Sequence, residues 1–210
     1  MLAVTAVALA CAAPLWPEHH LGGATSVATW AYGFDVPEGA MGEAVVGSLG
    51  EVYVPIGNAI HKIDRNIGSW NTTTSAPCTS LVLTHRAHGL YALCGASVMS
   101  FDAASGDAVA AEPVVGVAAD AVFLPLVYDP VGAQLIVATT RGAVFAFAAV
   151  GLFLIWQYEA TAPLATAPLA TGEYVILGDT AQTLTFLSPT LGTVRATMST
   201  SVVLDGTAEP

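Results

Sequence analysis

The sequence predicts an all-β protein built from repeated units of four short strands, and three observations support this. Of the 210 residues, 54% are hydrophobic and 10% are charged, with 20 glycines and 12 prolines. Short apolar runs rich in Val, Ile, Phe and Tyr alternate with glycine-containing turns, a pattern typical of β-strands. The same pattern recurs about every forty residues. This composition excludes a disordered chain and a coiled coil.

The repeat is clearest between residues 50–68 and 88–106. At a constant offset of 38 residues, the matched pairs are Tyr53 and Tyr91, Gly57 and Gly95, Ile60 and Val98, Ile63 and Phe101, Asp64 and Asp102, and Gly68 and Gly106. A looser third copy ends at Gly151 and a fourth at Gly192. Four strands in a repeat of about forty residues describe the blade of a β-propeller. We therefore expect about four blades, which is part or half of an eight-bladed ring.

The third repeat contains a segment that allows two interpretations. Residues 142–156 (GAVFAFAAVGLFLIW) carry no charge, so a membrane span is the alternative to two strands. The segment is shorter than the roughly 17–25 residues of a spanning helix, and a glycine falls where the repeat predicts a turn. Strands buried on both faces of a sheet are continuously apolar. We therefore favour two strands joined by a turn and expect no stable membrane span.

The N-terminus resembles a targeting segment. Residues 1–13 (MLAVTAVALACAA) are uncharged, short and rich in small residues suited to cleavage, which favours a signal peptide over a buried start of the domain. The expected organisation is a signal peptide at 1–13, a linker at 14–23, propeller blades at 24–204 and a tail at 205–210. The expected location is the secretory pathway, either extracellular or periplasmic.

Removal of this leader would leave two of the three cysteines, Cys78 and Cys94. They are equidistant from Arg86 in an apparent hairpin, which would place them opposite each other on antiparallel strands. A disulfide and two buried thiols both remain open. Asn71-Thr72-Thr73 is a glycosylation sequon in an apparent polar connection, relevant only in a eukaryotic host.

The pattern I-D-x-x-x-G-x-W at residues 63–70, together with FDAASG at 101–106, resembles the repeat of pyrroloquinoline-quinone-like (quinoprotein-type) propellers. In that family, an Asp ends the third strand, a Gly occupies the following turn, and a Trp of the fourth strand docks between blades. The resemblance implies that the docking and turn residues are Trp30, Trp70, Trp156, Asp64, Asp102, Gly68 and Gly106. The Trp is missing at Ala108 and Val194, and the Asp is missing at Ala148 and Ser188.

Propellers of this family usually close with eight blades, whereas this chain holds about four, a leading strand at 25–34 and a trailing strand at 195–204. Three alternatives follow: a truncated gene model, one half of a dimeric ring, or a small ring closed by residues 25–34. The unpaired ends of an open array would otherwise expose strand edges.

No catalytic residue is assigned, because the sequence has no nucleophile elbow, phosphate loop or C-x-x-C motif. His85 and His88 are interpreted as residues of a solvated turn and not as metal ligands. The resemblance implies that enzymes of this family need calcium-ligating Glu and Asn, a catalytic Asp and usually adjacent cysteines over the cofactor, none of which can be located here.

The sequence therefore favours a non-catalytic propeller, without a cofactor, that binds proteins through its loops or blade edges. Scaffold members of the resembled family, such as the lipoprotein that assists outer-membrane barrel assembly, also lack the enzyme's cofactor ligands. The alternative is a fragment of a quinone-dependent alcohol or sugar dehydrogenase, which would use the quinone and calcium. The net charge of −11 would repel phosphate backbones, so nucleic acid is not an expected partner.

Overall fold

The computed structural model describes residues 41–64, 69–84 and 89–199. Within these ranges the chain forms sixteen β-strands and no helix, so the all-β prediction is confirmed. The strands are β1 (Val45–Val46), β2 (Val52–Ile56), β3 (Ala59–Ile63), β4 (Trp70–Thr73), β5 (Cys78–Leu83), β6 (Gly89–Cys94), β7 (Ser97–Asp102), β8 (Ala108–Pro113), β9 (Val127–Asp129), β10 (Gln134–Ala138), β11 (Ala143–Ala148), β12 (Leu154–Glu159), β13 (Leu169–Ala170), β14 (Val175–Gly178), β15 (Thr183–Leu187) and β16 (Val194–Ser199).

These strands form four antiparallel sheets, each of four strands that are consecutive in sequence. We number the sheets blades 1 to 4, from β1–β4 to β13–β16. Residues 142–156, the segment with two interpretations, form most of the β11–β12 hairpin of blade 3. Within the described ranges, no helix has the length and apolar character needed to cross a membrane.

Successive blades pack through apolar faces. Alternate residues of a strand point to opposite sides of a sheet, so one strand can contact both the preceding and the following blade. In β6, Leu90 and Ala92 belong to the core cluster shared with blade 1, whereas Tyr91 and Leu93 belong to the cluster shared with blade 3. A third cluster joins blades 3 and 4. The middle strands of blades 2 and 3 are therefore apolar on both faces, which explains the continuous apolar run at 142–156.

The strand register shows which residues of blades 2 and 4 are equivalent to the docking tryptophans, and they differ from the residues that the sequence predicts. The residues that pair with the same position of the third strand are Trp70, Ala110, Trp156 and Ala196. Ala110 and Ala196 thus replace Ala108 and Val194 as the equivalents of the tryptophans. A bulge in each of blades 2, 3 and 4 inserts one residue into the outer strand. This bulge accounts for one of the two positions between Ala108 and Ala110.

The closing residue of the third repeat is Leu152, and the assignment to Gly151 is wrong. The amide of Ala148 donates to the Phe153 carbonyl, as the amide of Asp102 donates to the carbonyl five residues further on. This bond places Leu152 at the position that Gly106 occupies in blade 2. Leu152 adopts a φ of 53°, in the region that favours glycine, and it is 1% exposed.

Asn71 also lies elsewhere than expected, because it is an exposed residue of strand β4 and not part of a polar connection. Its glycosylation stays a prediction. Several other predictions fall outside the described residues: the signal peptide, the leading strand with Trp30, Gly68, the turn with His85 and His88, and the tail.

Candidate interaction surface

Two hydrogen bonds from side chains of blade 1 to one backbone carbonyl of blade 2 join these blades. The Ala103 carbonyl, in the turn after β7, accepts the Tyr53 hydroxyl at 3.1 Å and the Trp70 indole N–H at 3.3 Å. The indole also lies against Gly106, where an added Cβ would come within 2.6 Å of Trp70 Cε3. A glycine is therefore required opposite this tryptophan.

The junction between blades 3 and 4 has the same design. The Pro189 carbonyl accepts the Trp156 indole N–H at 2.6 Å and the Gln134 side-chain amide at 2.8 Å. Gly192 lies against the indole, and a Cβ there would come within 2.6 Å of Trp156 Cε3. The docking role assigned to the two tryptophans stays a prediction, for which this geometry provides a physical basis.

The middle junction lacks a tryptophan but keeps the carbonyl acceptor. The Tyr91 hydroxyl donates to the Ala149 carbonyl at 2.9 Å, as its repeat partner Tyr53 does one blade earlier. Ala110 and Leu152 belong to the same core cluster. A small residue at the tryptophan position is thus accompanied by a large residue at the glycine position.

This exchange predicts a compensating pair of substitutions. Leu152→Gly should destabilise the chain by about 2 kcal/mol, since loss of a buried leucine outweighs the relief of its positive φ. Ala110→Trp should cost about 1–3 kcal/mol through overpacking. The double variant should recover most of both losses. It creates the tryptophan–glycine contact that Trp70 makes with Gly106 and that Trp156 makes with Gly192. Urea unfolding of the three variants measures the coupling, and simple additivity would contradict it.

Alkaline pH is expected to weaken the first junction. Burial, followed by the negative charges of Glu51, Asp64 and Asp102, raises the pKa of Tyr53 to about 12. An unfolded tyrosine titrates near pH 10, so this contribution to stability is complete below about pH 10 and is lost as the pH rises through about 12. The free energy of unfolding should fall more steeply over this range in the wild type than in Tyr53→Phe. Equal slopes would contradict the assignment.

The turn after β7 is organised by Asp102. Its carboxylate accepts the backbone amides of Ala104 and Ser105, both at 2.8 Å, as a capping residue would. Asp64 ends the corresponding segment of blade 1, but the turn that follows it lies outside the described residues.

A disulfide joins Cys78 and Cys94, which are sixteen residues apart in the sequence, with an S–S distance of 2.02 Å. The two residues face each other across the β5–β6 pair, so the hairpin pairing and the disulfide are both confirmed. Both cysteines are buried in the cluster between blades 1 and 2.

The turn between β11 and β12 exposes a group of large apolar side chains. We name Val150, Phe153, Leu154 and Ile155 the blade 3 tip. Val150 is 77% exposed and Phe153 is 61% exposed, because the turn folds Leu152 inward between them. Leu154 and Ile155 are both exposed, although neighbours in a strand normally point to opposite faces. The bulge next to Leu154 breaks this alternation.

The corresponding turns of the neighbouring blades are more polar. The residues of blade 2 at the four tip positions are Ala104, Asp107, Ala108 and Val109, and those of blade 4 are Thr190, Thr193, Val194 and Arg195. The apolar character therefore belongs to blade 3 and not to the repeat. Scattered exposed apolar residues are ordinary, whereas a large contiguous patch is typical of interaction sites. These four side chains lie within six consecutive residues.

A second surface feature is an open depression of about 560 Å³ between the first strands of blades 2 and 3. The described residues that line it are Val82, Leu83, Thr84, Leu126, Val127, Tyr128 and Pro130. Its lining is mostly apolar, and Tyr128 is the one ionisable side chain among these seven. The Ser80 hydroxyl accepts the Leu126 amide at 3.0 Å and so joins the two blades beside the depression.

Two solved structures share this architecture. The crystal structure of BamB from Moraxella catarrhalis superposes with a TM-score of 0.60 and 16% identity, covering 75% of this chain and 47% of that one. The computationally designed Ika8 protein superposes with a TM-score of 0.61 and 9% identity, covering 76% and 49%. This chain is a partial β-propeller. The likeness shows the fold alone, and the chain spans about half the length of either structure.

The sequence matches no protein-family model and no curated protein. The quinoprotein-type family therefore stays a resemblance, while the propeller fold is established. Across residues 41–64, 69–84 and 89–199, no three His, Cys, Asp or Glu side chains come together in a group that could hold a metal ion.

Sequence reasoning missed two parts of the propeller. The tyrosine donors at the junctions were visible as the matched pair Tyr53 and Tyr91, but nothing local to either residue indicates an acceptor in the next blade. The blade 3 tip was visible as an uncharged run, but its exposure depends on a bulge and on the inward fold of Leu152.

Proposed function

We propose that this chain is a non-catalytic propeller scaffold that binds a partner protein through the blade 3 tip. The observation that carries the proposal is the exposure of four large apolar side chains within six consecutive residues. Burial of such a group against a partner removes apolar surface from water at about 25 cal/mol per Å². Phe153 is the expected anchor, because aromatic residues dominate binding energy at interfaces.

The charge of the chain suggests the chemistry of the partner. With a net charge of −11, the propeller attracts positively charged proteins at long range and repels nucleic acids. We therefore expect an apolar pocket or strip bordered by Lys and Arg on the partner. Association should slow as the salt concentration rises, because screening shortens the range of this attraction.

The disulfide supports a proposal about the compartment. A bridge such as Cys78–Cys94 persists in oxidising compartments and is rare in the cytosol. We propose a periplasmic, extracellular or other secretory-pathway location, as the N-terminal segment also indicates. Trapping of free thiols in intact cells, followed by mass analysis of the peptides containing both cysteines, tests this. A reduced pair in cells would contradict it.

Site-specific photo-crosslinking in the host organism tests the binding surface. A photoreactive phenylalanine analogue replaces Ile155 in one variant and Val109 in another. These residues occupy the same bulge position in blades 3 and 2, so they are a matched pair. We expect a discrete protein adduct at position 155, absent at 109 and abolished by Phe153→Asp. Identical adducts at both positions, or none at 155, would reject the blade 3 tip as the binding surface.

We also propose that the chain acts without quinone or calcium. If a site for both existed, saturating amounts would raise the melting temperature by mass action. Titration of the purified chain with calcium and pyrroloquinoline quinone should leave the melting temperature unchanged. An increase that requires both additions would favour the dehydrogenase alternative.

A further inference from the structure

The open depression between blades 2 and 3 has the size and the lining of a binding site for an apolar group. Its volume of about 560 Å³ falls within the range of about 300–1,000 Å³ that is usual for ligand pockets. Thr84 and Leu126 of its lining are buried, whereas Pro130 is exposed. The half-buried residues of the lining are Val82, Leu83, Val127 and Tyr128. The depression is therefore accessible from outside and presents mainly apolar surface.

One turn of blade 3 connects this depression to the blade 3 tip. The turn comprises residues 130–133 after β9, and its first residue, Pro130, lines the depression. The carbonyl of its last residue, Ala133, accepts the amide of Ala149 at 2.9 Å, and Ala149 directly precedes Val150 of the tip. The Cα atoms of Pro130 and Ala133 are at most about 11 Å apart, since each step along the chain spans about 3.8 Å. One partner can therefore contact both features.

The surface around this turn is apolar and carries little charge. Val131 is 74% exposed and contacts blade 4, where a Cβ added to Gly172 would come within 2.5 Å of the Val131 Cγ2 atom. Leu191, in the turn after β15, is 62% exposed. The turns after the first and third strands of blades 3 and 4 are residues 130–133, 149–153, 171–174 and 188–193. Glu173 is their one charged residue, and they contain no Lys, Arg or His.

We propose that the depression receives one bulky apolar side chain of the same partner protein that binds the blade 3 tip. This inference rests on the proposed function and adds the second contact of that partner. A side chain inside the depression is shielded from water by both blades, as are the anchor residues that dominate binding energy at interfaces. On the other side of Val131, the Glu173 carboxylate attracts a Lys or Arg of the partner. The partner segment therefore combines a bulky apolar residue with a nearby basic residue.

Photo-crosslinking with the full-length chain in the host organism is the first test. The photoreactive phenylalanine analogue replaces Tyr128 in the depression and, as a control, Val122. Val122 is 63% exposed and lies at the opposite end of blade 3, where its carbonyl accepts the Thr140 amide. We expect the adduct at 128 to contain the same protein as the adduct at Ile155, identified by mass spectrometry, and no adduct at 122.

The outcomes separate this inference from the proposed function. An adduct at 155 with none at 128, or with a different protein or a small molecule at 128, would overturn the inference and leave the proposed function intact. The absence of an adduct at 155 would reject the proposed function, and the inference with it.

The affinity of the purified partner protein, once identified from the adduct at 155, is the second test. Pro130→Trp places a large side chain at an exposed position of the lining, so it should occupy the depression without disturbing the core. Circular dichroism verifies that the variant folds. In calorimetric titration, Pro130→Trp should raise the Kd about tenfold, whereas Val122→Trp should change it less than about twofold. Equal Kd values for the two variants would overturn the inference.

Discussion

Trp156→Ala is expected to lower the free energy of unfolding by about 3–5 kcal/mol, the range for truncation of a buried large aromatic residue. Trp156 is buried in the cluster between blades 3 and 4, lies against Gly192 and donates to the Pro189 carbonyl. The variant therefore loses packing and a hydrogen bond at the same time. Equilibrium unfolding in urea measures the change.

Two further variants separate these losses. Trp156→Phe keeps most of the apolar contact but removes the N–H donor, and it should cost about 1–2 kcal/mol, since the Pro189 carbonyl still accepts from Gln134. Val109→Ala, on an exposed outer strand, should change stability by less than about 0.5 kcal/mol. A similar small effect at Trp156 and Val109 would contradict a docking role for the tryptophan.

Loss of the Cys78–Cys94 disulfide is the second large effect, about 3 kcal/mol for a loop of this length. The bridge joins the ends of a hairpin whose intervening turn follows β5, and it restricts the unfolded chain. Reduction should therefore lower the urea midpoint of the wild type. In the double variant Cys78→Ala and Cys94→Ala, the midpoint should already be low and should not respond to reductant.

Two observations would contradict this expectation. If reductant lowered the urea midpoint of the wild type and of the double variant equally, the change would not come from the disulfide. An unchanged midpoint in both would mean that the packing of blades 1 and 2 stabilises the hairpin without it.

The sequence alone predicted the four-stranded unit, its repeat of about forty residues and the position of Cys78 opposite Cys94. These features depend on residues near each other in the chain. Proline and glycine favour turns through their own φ preferences, and in the turn after β9 the Asp129 carboxylate accepts the amides of Val131 and Gly132. The two cysteines face each other only because the register shifts by one residue between Cys78 and Ser80. The pairs from Ser80–Leu93 to Leu83–Leu90 would otherwise place Thr79 opposite Cys94.

Only the tertiary structure decided which residues meet between blades and which face water. A bulge adds one residue to an outer strand without any signal in the periodicity. The equivalent of Trp70 in blade 2 is Ala110, two positions beyond the residue that the offset of 38 predicts. Leu152 takes a left-handed conformation directly after Gly151, whose φ is also positive, and its burial in the core cluster accompanies this conformation. The exposure of Phe153 follows from packing between sheets. Such packing joins residues about forty positions apart, beyond the reach of any local pattern.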